Sequence, residues 1–191
     1  MKVITKEELM LNKDLYYSKI LEGATLVYPT DTIYAFGCSA LSEKAVKRVR
    51  EAKERPEKPF SVIAPSKDWI RKNCVVDEKA EEWLDKLPGP YTLILKRKNI
   101  DCVAPSVNPL DDTLGIRMPD HWFMEVVAEL GIPLITPSAN VSGKNFMTSL
   151  DDMDSQIKQH ADLMVDVGPL TGTPSTIVNL AAGEEKIIRR S

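Results

Sequence analysis

The chain has 191 residues, 43% hydrophobic and 28% charged, a composition that suits a single domain spanning residues 1–191 with its own buried core. A net charge of −3 argues against non-specific grip on nucleic acid through a basic face, and no apolar run approaches the roughly 18 residues that cross a bilayer. The polar N-terminus is unlike a signal peptide, three scattered cysteines form no Cys-x-x-Cys pair, and two histidines are too few for a histidine metal centre, so a soluble cytoplasmic protein with reduced thiols is expected.

Thr5-Lys6-Glu7-Glu8 reads as a capping box that opens a helix running through Leu15, Ile20 and Leu21 to Gly23. A short β-branched run at 24–28 predicts a strand, followed by the polar loop Pro29-Thr30-Asp31-Thr32 and a second apolar run at 33–37. Ser42 caps a helix with Ala45, Val46, Val49 and Ala52 on one face, and Pro56 marks its break. The same spacing predicts a helix through Ala80, Trp83, Leu84 and Leu87, and another capped by Asp120 with Phe123, Val126, Val127 and Leu130 inward. Apolar runs at 60–64, 92–95, 114–116, 133–136, 163–165, 176–180 and 186–188 add strands, giving an α/β (α+β) chain whose mixed sheet has about seven or eight strands.

Four polar clusters lie at the ends of these runs. In Lys53-Glu54-Arg55-Pro56-Glu57-Lys58-Pro59 the prolines fix the backbone, so Arg55 and Lys58 suit a phosphate clamp, and the same cations also suit a solvated helix C-terminus. In Thr113-Leu114-Gly115-Ile116-Arg117 the strand period puts Thr113 and Arg117 on one side, with Gly115 leaving room for close approach. That arginine seeks an anion, either a ligand's or one of the protein's own carboxylates. Thr136-Pro137-Ser138-Ala139-Asn140-Val141-Ser142-Gly143 and Gly172-Thr173-Pro174-Ser175-Thr176 offer small donors and acceptors that suit a nucleotide loop or an ordinary turn. Neither a Walker loop nor a Gly-x-Gly-x-x-Gly, Gly-x-Ser-x-Gly or His-Glu-x-x-His motif is present.

Taken in order, Pro29-Thr30-Asp31-Thr32 with Tyr34 and Gly37, Lys53-x-Arg55-Pro56, Pro88-Gly89-Pro90-Tyr91-Thr92, Arg117-Met118-Pro119, the Ser138–Gly143 segment and Pro174-Ser175-Thr176 resemble the YrdC family of threonylcarbamoyl-AMP synthases. The resemblance runs from about Leu26 to Arg189 and implies a YrdC-like twisted mixed sheet flanked by helices, with an open concave cavity. It implies an ATP-dependent nucleotidyltransferase that makes threonylcarbamoyl-AMP and pyrophosphate from L-threonine, bicarbonate and ATP for N6-threonylcarbamoyladenosine in tRNA. Mg2+ would arrive with ATP, a separate tRNA threonylcarbamoyl-transferase machinery would use the product, and weak direct RNA binding is compatible with it.

By position, the resemblance makes Lys53 and Arg55 catalytic and gives L-threonine to Thr32, Arg117 and Ser175. It gives ATP to Arg55, Lys58, Thr113, Ser138, Asn140, Thr148 and Arg189. Two departures stand out: Ile63 occupies a position where many longer members have a histidine, and the chain ends Arg189-Arg190-Ser191 without the linker and extra domain of those members, as in the short single-domain type. The alternatives are a non-enzymatic double-stranded-RNA-binding module of the same fold and a carbamoyl-AMP-forming relative. The main structural expectation is that Lys53, Arg55, Lys58, Arg117 and Arg189 converge on one anion-holding cavity.

Overall fold

The computed structural model describes residues 1–183 and 185–188. Its strands are β1 (Lys2–Ile4), β2 (Leu26–Tyr28), β3 (Ala35–Gly37), β4 (Ser61–Ile63), β5 (Tyr91–Lys96), β6 (Thr113–Arg117), β7 (Leu134–Ile135), β8 (Leu163–Val165), β9 (Thr176–Asn179) and β10 (Lys186–Ile188). They form two mixed sheets among the described residues, ordered β1-β8-β2-β3 and β10-β9-β5-β6-β4-β7. The helices are α1 (Lys6–Leu11), α2 (Lys13–Leu21), α3 (Glu43–Ala52), α4 (Lys67–Asn73), α5 (Glu78–Leu84), α6 (Phe123–Leu130) and α7 (Ser155–His160). Among the described residues no helix is long and apolar enough to cross a membrane.

Local chemistry explains most boundaries. Thr5, Ser42, Ser66 and Asp77 each cap a helix by accepting from a main-chain N–H three residues on. The helix predicted over 5–23 is two helices, because Asn12 leaves the helical region and its Nδ2 donates to Glu8 O at 3.0 Å. The Glu8 carboxylate accepts from Lys2 Nζ and Tyr16 Oη instead of closing a capping box. Asp120 does not cap α6; that helix starts after Trp122 without a side-chain cap, and the Asp120 N–H donates to Asp31 Oδ2 at 3.1 Å. Helices α4 and α7 escape the periodicity reading because each is short and buries a single apolar residue, Ile70 or Ile157.

The strand count exceeds the seven or eight expected and the strands divide between two sheets, because the partition depends on pairing distant in sequence. The sheets meet where β3 runs beside β7. Ile135 N donates to Cys38 O at 3.0 Å, Phe36 N to Pro137 O at 2.9 Å and Ala139 N to Tyr34 O at 2.9 Å. Gly37 lies at this seam, and a Cβ there would overlap the Ile135 carbonyl oxygen. One apolar cluster packs the inner face of α3 against Phe36, Val62, Leu93 and Ile116. A second gathers Ile4, Leu26 and Leu163 around Tyr28 and Phe123, whose rings stack at 4.6 Å. Gly37→Ala should therefore cost more than about 2 kcal/mol in denaturant unfolding, because backbone has to shift on both sides of the seam.

Candidate functional site

A cavity of about 290 Å3 lies along the seam, lined on one side by Ile33 and Tyr34 of the 30–34 loop with Ala35 of β3, and on the other by Thr92, Ile94, Thr113, Gly115, Arg117 and Ile177 of the second sheet. Ser61 of β4 and the loop residues Arg55, Pro59, Phe60, Thr136, Pro137, Ser138, Pro174 and Ser175 complete its wall. On β6, Thr113, Gly115 and Arg117 share the cavity side, as the two-residue strand period predicts. The group that approaches Gly115 closely is the Ser61 hydroxyl. Gly172 is pressed against the Thr32 carbonyl in the same way, which draws the segment carrying Ser175 against the 30–34 loop.

Arg117 is nearly sealed from solvent. Its Nη2 donates to Asp31 Oδ1 at 2.6 Å, the two side chains being 6% and 9% exposed. Burial pushes the Arg117 guanidinium below its ordinary range, and the Asp31 carboxylate opposes that shift. Among the described residues its Nε is buried without a hydrogen-bond partner, while the Thr136 hydroxyl interacts with the Tyr28 hydroxyl; both Arg117 and Thr136 line the cavity. A buried polar atom without a partner costs free energy, so a guanidinium with an unfilled donor in the cavity wall is suited to an incoming carboxylate. The arginine thus holds one of the protein's own carboxylates and still has an N–H to offer.

The Lys53–Pro59 segment splits its cations. Lys53 ends α3, Glu54 takes the left-handed region at φ 49, and Arg55 N donates back to Arg50 O at 3.0 Å, which turns the chain into the cavity. Arg55 donates through Nε and Nη2 to Lys58 O and Pro59 O and lies over the Phe60 ring at 5.2 Å. The Lys58 side chain is exposed and contributes nothing to the wall.

Lys53, only 1% exposed, sits behind the wall and not in it, with Nζ donating to Ser138 O and Asn140 O, both at 2.5 Å, and 3.4 Å from Asn140 Oδ1. Burial, with the nearby Arg55 charge, pushes its ammonium down to about 7. A neutral amine still carries two N–H groups, enough for the two short contacts. Asn140 is also off the wall; it accepts from Ser138 Oγ at 2.5 Å and donates to Lys144 O at 2.6 Å.

The remaining predicted residues fall as follows. Ser175 lines the cavity and pairs its Oγ with Thr92 Oγ1 at 2.6 Å. Thr32 is buried beside the lining residue Ile33, with Oγ1 3.0 Å from Thr30 Oγ1, and is itself off the wall. Thr113 lines the wall while its Oγ1 donates to Asp111 Oδ1 at 2.6 Å. Thr148 is away from the wall and donates to Asp152 Oδ2 at 2.7 Å. Arg189 lies outside the described residues. Of the four described cations expected to converge, Arg55 and Arg117 reach the wall and Lys53 and Lys58 do not.

The sequence reading placed Asp31 and Thr136 within polar clusters without an individual role and gave no site role to Arg50 or Phe60. The one legible signal among them was Arg50, a charge among the inward positions of α3. Among the described residues no three His, Cys, Asp or Glu side chains cluster as metal ligands, and no carboxylate lines the cavity.

Two measurements check this electrostatic picture. Asp31→Leu, which leaves Arg117 buried without its counter-ion, should cost about 3–5 kcal/mol in urea unfolding, and adding Arg117→Met should recover part of that loss. Because the folded state lowers the Lys53 pKa, it binds fewer protons there than the unfolded chain between pH 7 and 10.5. Wild-type stability should therefore rise with pH across that window relative to Lys53→Met, by at most about 1.4 kcal/mol per pH unit.

A family model described as Telomere recombination, for the Sua5/YciO/YrdC domain, matches residues 18–191. A putative threonylcarbamoyl-AMP synthase of Methanocaldococcus jannaschii is 37% identical over 191 residues, covering 97% of this chain and 87% of that protein. The threonylcarbamoyl-AMP synthase of Bacillus subtilis is 35% identical over 165 residues, covering 84% of this chain and 47% of that protein. The crystal structure of Pyrococcus abyssi Sua5 complexed with L-threonine superimposes with a TM-score of 0.79 at 31% identity, over 92% of this chain and 52% of that one. This chain therefore spans about half the length of the last two relatives. With that match along nearly its whole length and the same fold, the chain belongs to the Sua5/YciO/YrdC family.

Proposed function

We propose that this protein is an L-threonylcarbamoyladenylate synthase, joining L-threonine, bicarbonate and ATP into threonylcarbamoyl-AMP and pyrophosphate for N6-threonylcarbamoyladenosine modification of tRNA. The observation that carries the reading is the wall in which Arg117, whose Nε has no hydrogen-bond partner among the described residues, stands in the same cavity as Arg55, Thr136 and Ser138. Relatives with the synthase name and the threonine-bound Sua5 structure support it.

In this reading the threonine carboxylate completes Arg117 and Thr136, with Thr32 and Ser175 shaping that end of the site. The threonine amine and bicarbonate give a carbamate with loss of water. A carbamate oxygen then attacks the α-phosphorus of ATP, the bond to the bridging oxygen breaks, and pyrophosphate leaves with the electron pair. The protein needs no nucleophile of its own; it holds two anions together and offers N–H groups where charge builds.

Arg55, Ser138 and Thr113 face the nucleotide in this reading. Lys53 and Asn140 hold the Ser138 loop from behind, and Lys58, Thr148 and Arg189 are assigned to ATP by the family resemblance. Mg2+ enters on the ATP phosphates, which suits a wall that has hydroxyls and no carboxylates. The product, a reactive mixed anhydride, passes to a tRNA threonylcarbamoyl-transferase machinery in the cytoplasm.

The test is pyrophosphate release by purified protein with ATP, Mg2+, bicarbonate and each amino acid. Release should require threonine and bicarbonate together. Arg55→Ala should lower kcat/KM by about 100-fold or more, equivalent to about 2.7 kcal/mol of transition-state stabilisation. Arg117→Lys should raise the threonine KM by about tenfold or more while the ATP KM stays near that of the wild type. Release that ignores threonine, or an Arg117→Lys enzyme with unchanged threonine KM, contradicts the assignment.

A further inference from the structure

Arg50 occupies an unusual place for a charge. It lies on α3 one turn after Val46, among the inward residues Ala45, Val49 and Ala52, and only 7% of it is exposed. A guanidinium is rarely buried unless its N–H groups are matched, and here they are matched by main-chain oxygens. Nε donates to Ser106 O at 2.7 Å, Nη1 to Arg55 O at 2.8 Å and Lys58 O at 3.1 Å, and Nη2 to Val107 O at 3.2 Å. The guanidinium also lies 4.3 Å from the centroid of the Phe60 ring.

Two of those four carbonyls belong to the 55–59 loop, which has no helix or strand to hold it. The other two belong to the short 3-10 turn Pro105–Val107, which Glu43 of α3 also grips through Ser106 N and Oγ. The Arg50 carbonyl accepts from Arg55 N at 3.0 Å, so main chain and side chain of one residue both bind the Arg55 backbone. The Arg55 guanidinium lies over the same Phe60 ring. Removing Arg50 leaves four carbonyls without this donor and frees the loop from the helix that positions it.

We propose that Arg50 is a positioning residue for the nucleotide end of the cavity. It is not part of the wall, yet it fixes the loop from which Arg55 reaches the wall. The inference rests on the reading that Arg55 meets the ATP phosphates.

The full chain is compared with Arg50→Met, Arg50→Lys and, as a control that loosens the same helix face, Val46→Ala. KM values for ATP and threonine are measured by pyrophosphate release below the melting temperature of each variant. Arg50→Met should raise the ATP KM by about tenfold or more and change the threonine KM by less than about threefold, with Arg50→Lys in between. Val46→Ala should lower the melting temperature without changing either KM.

A folded Arg50→Met whose ATP KM equals that of the wild type, or rises no more than that of Val46→Ala, overturns the inference. Should Arg50→Met fail to fold, Arg50→Lys decides by the same criterion. A wild type that releases no threonine-dependent pyrophosphate sinks the reaction assigned above. The inference is then read from the rise in melting temperature given by ATP with Mg2+, which Arg50→Lys should diminish; an equal rise in both proteins, or none in either, overturns it.

Discussion

The site depends on the pairing of β3 with β7, which joins two sheets that among the described residues share no other ladder. The main-chain bonds among residues 34–38 and 135–139 bring the 30–34 loop of one sheet against the 136–140 loop of the other. Gly37 permits the approach because any side chain would collide with the Ile135 carbonyl. The cavity wall is drawn from both sides of that line, so fold stability and site geometry rest on the same few hydrogen bonds.

Along the seam the protein handles cations in two ways. Arg117, a residue of the cavity wall, is neutralised by Asp31 on the opposite loop, and its buried Nε has no hydrogen-bond partner among the described residues. Arg50 and Lys53 are instead held by main-chain carbonyls, which supply partial negative charge without adding a formal one. A chain with an acidic overall balance thus places two arginines, Arg55 and Arg117, in a cavity wall that no described carboxylate lines. The formal net charge says little about such an interior, because −3 is a sum over the whole molecule.

Much of this was legible in the sequence where a short period carried the information. The inward face of α3 and the shared side of Thr113 and Arg117 follow from spacings of 3.6 and 2 residues. The meeting of β3 with β7 was not legible, because it depends on pairing between segments about a hundred residues apart. Charge alone did not tell wall from support: Lys53, Arg55 and Lys58 look alike in one cluster, yet they end behind the wall, in it and in solvent. Asp31 gave no sign that it would become the Arg117 counter-ion. The order of motifs pointed to the family, and the coordinates then separated residues that face the cavity from those that brace it.

Calorimetric titration of L-threonine against L-threoninol, with ATP and Mg2+ present, tests most directly whether the seam cavity recognises a carboxylate. The two ligands share the amine, the side-chain hydroxyl and the methyl group, and differ in the anion assigned to Arg117 and Thr136. The account predicts that threoninol binds about 100-fold or more weakly than threonine, since it leaves the arginine donor unfilled. Equal affinity for the two would contradict it.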